Sequence, residues 1–318
     1  MPQDRYFILG DAQIAFEAVG TLFNCAFVGG HGEFWKVGTC TTMRVDEHET
    51  ESSKEITLTP MSQLYFATAA RSAVGLIRTG NEDSALTSPR VIAVADGMGG
   101  HAAGEVASKI AISTLAQLTT IITHPDIDTD SADDLFGQSL HTIDTEIKSA
   151  SDENPELSGM GTTLTSLFLC QEKIALLHIG DSRAYRLRAN SIEQLSLDHT
   201  VIQELLSQGV ISEADIATHP QRSVLTQVLM GDGITHAPLL ILEGKVKDRY
   251  LVCSDGLSSV LTEKEIKSLI KGKNRKDAVD ALIDATYING APDNVTVIIA
   301  DLVETDEDSS VLTLGAAQ

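Results

Sequence analysis

Short apolar runs that stop at an aspartate constrain this chain more than any other feature. Val91–Ala95 leads into Asp96–Gly97–Met98–Gly99–Gly100–His101, Ile174–Ile179 into Gly180–Asp181–Ser182, and Tyr250–Cys253 into Ser254–Asp255–Gly256, while Asp293 comes just before the run Asn294–Ala300. Runs of this length, rich in β-branched residues and bounded by turn formers, read as strands. In an antiparallel sheet the C-terminal end of one strand lies beside the N-terminal end of its neighbour. The aspartates that close runs and the one that opens a run can therefore meet at a single rim. Carboxylates crowded there repel one another, and a buried unpaired charge is strongly unfavourable. Cations relieve that repulsion, and all-oxygen ligation selects hard divalent ions such as Mg²⁺ or Mn²⁺ rather than zinc. The pattern implies metal-dependent hydrolysis.

The rest of the composition narrows the class. With 42% apolar residues in 318, the chain is globular rather than disordered. Its formal charge of −22 speaks against a nucleic-acid binder and against docking on an anionic membrane. The four cysteines show no Cys-x-x-Cys or Cys/His metal spacing, and Cys170 and Cys253 fall inside apolar runs as small hydrophobes. A reducing cytoplasm fits that usage. No apolar run reaches the roughly 18 residues of a membrane span, and the nearest, Phe7–Gly30, is broken by Asp11, Glu17 and Asn24.

Periodicity is poor over residues 1–60, which carry Gly-rich turns and the acidic stretch Asp46–Glu55. From Ser62 onward strands are expected at Leu64–Ala69, Val91–Ala95, Thr163–Leu169, Ile174–Ile179, Ala184–Leu187, Leu251–Cys253 and Val295–Ala300. The short Gly180–Arg183 link between two of these predicts a β-hairpin. Apolar residues at three-and-four spacing predict helices over Ala107–Ile122, Phe136–Ile147 and Ala278–Ile288. Val201–Gln208 reads as a further helix stopped by Gly209, and Ser212 with Asp215 gives a capping signal for a short one. The result is an α+β chain, an antiparallel core with helices outside. Glu304–Asp308 opens an acidic tail, read as a solvated terminus.

The ordered set Arg78…Asn81–Glu82–Asp83, Asp96–Gly97–Met98–Gly99–Gly100–His101, Gly159–Met160–Gly161–Thr162–Thr163, Gly180–Asp181–Ser182–Arg183, Ser254–Asp255–Gly256 and Pro292–Asp293–Asn294 resembles the bacterial form of the type 2C metal-dependent Ser/Thr protein phosphatases. One tripeptide would be weak evidence; the whole series in order is specific. The resemblance implies two stacked antiparallel sheets flanked by helices, an α-β-β-α sandwich with a dinuclear site at one end. It spans residues 62–303 as a catalytic domain and leaves 304–318 as the tail. Residues 1–61 form an N-terminal extension without counterpart in the motif set, either an accessory segment or an over-long start assignment.

The resemblance also implies roles. Asp96 stands at the family's bridging carboxylate, with the Gly97 carbonyl as an added ligand, and Asp255 and Asp293 complete the first ion's set. Glu82 and Asp83 reach the second ion directly or through water, and Asp181 with Asp255 holds a third in bacterial members. Arg78 matches the phosphate-clamping arginine, whose fork suits two phosphate oxygens, and His101 is the candidate general acid. Region Asp198–Gly231 corresponds to the flap beside the site, with Arg222 as a substrate contact. The implied activity is hydrolysis of phosphoserine and phosphothreonine by a metal-activated water, by a cytoplasmic monomer that opposes Ser/Thr kinases. Plainer readings exist for each residue: Asp-Gly makes turns, Asp181 could brace the hairpin, Arg78 could be a surface cation, and His101 a supporting hydrogen bonder. A non-catalytic phosphatase-like module is the rival function, and an enzyme dedicated to one regulatory phosphoprotein a narrower version. No cysteine precedes an arginine at the spacing of cysteine-nucleophile phosphatases, no GxxxxGK[ST] cradle exists, and Gly180–Ala184 misses the GxSxG elbow.

Overall fold

The computed structural model describes residues 5–9, 12–19, 22–28, 34–40, 43–50, 53–60, 63–99, 103–122, 128–212, 215–216, 219–233, 237–306 and 310–318. The chain divides into two compact units, Met1–Ser62 and Gln63–Gln318. In the first, β1 (Arg5–Leu9), β2 (Ala12–Val19), β3 (Leu22–Val28) and β4 (Phe34–Cys40) form an antiparallel sheet in sequence order. β5 (Met43–Thr50) pairs with β6 (Ser53–Pro60). Weak alternation hid these strands from the sequence analysis.

The second unit holds β7 (Tyr65–Ala73), β8 (Asp83–Thr87), β9 (Val91–Met98), β10 (Gly161–Thr162), β11 (Leu164–Cys170), β12 (Lys173–Ile179), β13 (Arg183–Arg188), β14 (Ser191–Gln194), β15 (Leu240–Glu243), β16 (Arg249–Cys253), β17 (Val295–Val303) and β18 (Leu312–Gly315). Its helices are α1 (Ala103–Ile122), α2 (Thr129–Glu153), α3 (Val201–Ser207), α4 (Asp255–Ser258), α5 (Glu263–Ile270) and α6 (Arg275–Ile288). One sheet runs β15-β12-β11-β9-β8-β18, with β10 on the end of β9; the other runs β14-β13-β16-β17-β7. All pairings are antiparallel.

Side-chain alternation makes the layers. On β9, Ile92 and Val94 enter the core between the sheets, while Val91, Ala93 and Ala95 pack against α1 and α2. On β17, Ile298, Ala300 and Leu302 face the inner core, and Val295, Val297 and Ile299 face α5 and α6. A strand covered on both faces has no polar side, which is why these runs are continuously apolar. Phe136 of α2 stacks on Phe168 of β11 with ring centroids 3.8 Å apart. The order helix, sheet, sheet, helix is the sandwich expected from the sequence. Among the described residues no helix is long and apolar enough to cross a membrane.

Two expectations are corrected. The link 180–182 is not a hairpin turn: β12 pairs with β11 and β15, whereas β13 pairs with β14 and β16. The chain crosses from one sheet to the other there, with Gly180 at φ +103°. A Cβ at Gly180 would lie 2.5 Å from Thr163 Cγ2, so the crossing passes close over β11's entry. The chain end is not simply a solvated tail either, since β18 pairs with β8 from Leu312↔Thr87 to Gly315↔Ser84. Helix α3 is capped by Thr200, whose hydroxyl accepts from Gln203 N, and gives way to Gly209 at φ +68° as expected. The α5 helix was missed although Thr262 and Glu265 form a full capping box.

Candidate metal and phosphate site

Strand direction brings the acidic residues to one end of the sandwich. β9 ends there in Asp96 and Gly97, β8 begins there at Asp83, β12 delivers Asp181 at the crossover, β16 runs into Asp255 in the first turn of α4, and Asp293 precedes β17. Asp83 lies directly opposite Asp96 across the β8–β9 ladder, a placement that like charges disfavour. Arg78 enters from the loop between β7 and β8 and donates Nη2 to Asp293 Oδ2 at 2.7 Å.

Backbone hydrogen bonds hold this rim in place. Asp96 N donates to Thr163 Oγ1 (2.9 Å), and Asp96 O accepts from Thr163 N (2.9 Å) and Thr162 Oγ1 (3.0 Å). Gly97 N donates to Glu82 O at 3.1 Å. A Cβ on Gly97 would stand 2.1 Å from Gly104 O and 2.6 Å from Glu82 O, so only glycine lets the start of α1 close over β9. Asn294, quoted in the sequence motif without a role, is the clamp of the Arg78 loop. Its Nδ2 donates to Val74 O and Gly80 O, and its Oδ1 accepts from Glu82 N, each at 2.8 Å.

The electrostatics are those of a crowded anionic site. Burial, then the charges of Asp83, Asp255, Asp181 and Asp293, push the Asp96 carboxyl well above the usual carboxylate range. Burial pushes Asp83 up to about 7 against the pull of its Ser254 hydrogen bond. Asp181 rises to about 7 through burial, with Asp255 and Asp198 adding to it. Asp255 is raised by burial and by Asp293, with a hydrogen bond to Asp96 acting the other way. Glu82 is raised by burial against the opposing charge of Arg78. Arg183, the nearest cation in sequence to Asp181, is committed to Asp198 through Nε and Nη2 at 2.6–3.0 Å.

Whether these residues suit divalent cations is tested by Asp83. Its side chain is fully buried, Oδ2 takes the Ser254 hydroxyl at 2.7 Å, and Oδ1 has no partner. A buried orphan carboxylate oxygen among other carboxylates is an unmet demand for positive charge. The donor set is all oxygen, which matches Mg²⁺ or Mn²⁺. Among the described residues no three acidic, imidazole or thiol side chains converge as a finished cage, and Asp293 Oδ2 is turned to Arg78.

Of the residues singled out from the sequence, Arg78, Glu82, Asp83, Asp96, Gly97, Asp181, Asp255 and Asp293 are thus linked at the rim by pairing, hydrogen bonds or mutual electrostatics. His101 lies outside the described residues. Arg222 sits on an exposed turn, its N–H donating to His219 O at 3.2 Å. His178, inside the apolar run of β12, has both ring nitrogens engaged, by Thr165 Oγ1 (2.9 Å) and Leu197 O (3.0 Å).

Comparison with known proteins follows the same residues. The family model described as protein phosphatase 2C matches residues 81–285. The serine/threonine protein phosphatase PstP of Mycobacterium tuberculosis is 39% identical over 241 residues, which cover 75% of this chain. This chain spans only 45% of that relative's length. The serine/threonine phosphatase stp of Listeria monocytogenes is 32% identical over 248 residues, covering 74% of this chain and 96% of the relative. Among solved structures, Mycobacterium tuberculosis PstP/Ppp superposes with a TM-score of 0.69 at 38% identity, over 74% of this chain and 98% of that one. The PstP catalytic domain in complex with two manganese ions gives 0.69 at 37% identity, over 76% and 99%. By the family match, the coverage of its relatives and the shared sandwich, the chain belongs to the protein phosphatase 2C family.

Proposed function

We propose that this chain is a metal-dependent protein serine/threonine phosphatase, hydrolysing phosphoserine and phosphothreonine with water. The observation that carries the reading is the rim itself: carboxylates brought to one end of the sandwich and raised by burial with their neighbours' charges adding to it, one buried oxygen without a partner, and Arg78 beside them. The residues that would hold two Mn²⁺ or Mg²⁺ ions are Asp96, the Gly97 carbonyl, Asp255 and Asp293, with Glu82 and Asp83 on the second and Asp181 with Asp255 toward a third. When bound, such ions neutralise phosphoryl oxygens and lower the pKa of a coordinated water. Arg78 presents a guanidinium fork to a phosphate once it exchanges Asp293 for the substrate, and its half-exposed position permits that exchange. His101 is the proposed proton donor to the departing alkoxide, and Arg222 a contact to the substrate chain.

A thiol nucleophile finds no support among the described residues: the buried Cys170 and Cys253 are raised by desolvation to about 11 and about 12. The substrates proposed are phosphoproteins, including Ser/Thr kinases, met by a monomer in the cytoplasm. The names of the relatives and the manganese complex of one of them support the metal-dependent phosphatase activity. Turnover of p-nitrophenyl phosphate in Mn²⁺ separates it from a binding-only module. Hydrolysis that scales with enzyme and metal is expected, and tight phosphopeptide binding without turnover would contradict it.

A further inference from the structure

Helix α2 carries a carboxylate where its apolar face should be unbroken. Asp144 lies between Leu140, Ile143 and Ile147, all fully buried, and is itself only 5% exposed. Both of its oxygens are spent on backbone of a distant segment: Gly231 N donates to Oδ1 at 2.9 Å and Gly233 N to Oδ2 at 2.8 Å. Those glycines take φ +79° and +92°, and a Cβ on Gly231 would stand 2.8–2.9 Å from Lys148 Cβ, Cα and N. The segment is thus pressed onto α2 at a joint only glycine allows. A charged acceptor gripping two backbone N–H groups fixes the path of a chain whatever side chains it bears.

The path matters because of where it leads. Two residues before the joint, Leu229 exchanges both backbone hydrogen bonds with Thr162 (2.9 and 3.0 Å). Thr162 lies opposite Gly97 in the β10–β9 pairing and donates its hydroxyl to Asp96 O at 3.0 Å. Upstream, Thr226 N donates to His199 O (2.9 Å) and Val201 N to Val224 O (3.0 Å), which tether the segment at its other end. Arg222 stands two residues upstream of the Val224 tether, on the same segment and on the far side of the tethers from the joint.

We infer that Asp144 is a positioning residue that sets the register of segment 219–233 beside the site, and through it the fit of the phosphorylated chain rather than the chemistry. The inference rests on the phosphatase reading. The β10 pairing of Leu229 does not involve Asp144, so the rim carboxylates stay in place when the anchor is lost. Kinetics on a phosphothreonine peptide and on p-nitrophenyl phosphate in Mn²⁺ test this. Asp144→Ala is expected to raise the peptide KM about tenfold with kcat within about twofold, and to leave p-nitrophenyl phosphate kcat/KM within about twofold. Asp144→Asn, which keeps one acceptor, should fall between, and Gly231→Ala should reproduce the peptide effect with Asp144 intact. Parallel loss on both substrates, or no change on either, would overturn the inference, as would a Gly231→Ala protein with an unaltered peptide KM. Amide hydrogen exchange supplies an arm independent of activity. Gly231 and Gly233 should be protected in the unmodified protein and exposed in Asp144→Ala, and equal exchange in the two would refute the anchor. Failure of the unmodified chain to hydrolyse either substrate would count against the phosphatase reading instead, with the exchange result still deciding the anchor.

Discussion

Asp181 separates two things a rim carboxylate can do. Its position at a sheet-to-sheet crossing, not in a hairpin, removes the turn that the rival reading had it brace. Burial and the neighbouring Asp255 and Asp198 disfavour its charge. Asp181→Ala should therefore not lower the thermal midpoint in chelator, while the metal concentration needed for half-maximal turnover rises. A stability loss of about 1 kcal/mol with unchanged kinetics would mark a brace. The same burial, with the repulsion added to it, gives a pH signature. Asp83 and Asp181 have folded pKa values near 7, above the roughly 3.9 of an unfolded aspartate. Their contribution to stability is fully present below about pH 4 and is lost as pH rises through about 7. Chelated protein should lose thermal stability across that window, Asp181→Asn should flatten the loss, and the midpoint gain on adding Mn²⁺ should grow with pH. A chelated midpoint whose pH slope is the same in Asp181→Asn would contradict the assignment. Asp96, Asp181, Asp255 and Asp293 were legible in sequence because each closes or opens an apolar run. Asn294, Ser254 and Asp144 were not, because each acts on residues far away in sequence.

At the scale of elements, α1 is set on β9 by the contact of two glycines. A Cβ at Gly104 would meet Gly97 C at 2.7 Å and Glu82 Oε2 at 2.8 Å. Gly104→Ala should lower stability by about 1–3 kcal/mol and also turnover, since it displaces Gly97 and Glu82 together. Thr262→Ala is the control: it breaks the α5 capping box and should lower stability by about 1 kcal/mol with kcat unchanged. Differential scanning calorimetry beside steady-state kinetics distinguishes them, and an active Gly104→Ala protein would show that the glycine contact does not shape the site. The long apolar strands and amphipathic helices were readable from period alone. The crossing at Gly180 was not, because a short link between two strand-like runs looks the same whether the strands pair or part. β18 escaped because its pairing with β8 joins opposite ends of the unit, and α5 because its capping box precedes only a short apolar pattern.

For the whole molecule, a net charge of −22 and a rim of like charges place the same requirement on different scales. Long-range repulsion is screened by salt, and the rim much less so, being partly withdrawn from solvent. The fold could be read because a doubly covered sandwich imposes continuous apolar strands, and the residues 1–61 could not because their strands lack that imprint. What ties fold to function is the claim that the converging carboxylates exist to hold divalent ions against a phosphate. The direct measurement is release of phosphate from a phosphothreonine peptide by chelated protein, retitrated with Mn²⁺ or Mg²⁺, beside a folded Asp96→Asn variant. Activity should vanish in chelator, return with either ion, and stay at least about a hundredfold lower in Asp96→Asn at saturating Mn²⁺. Full activity in excess chelator, or near-normal turnover by folded Asp96→Asn, would contradict it.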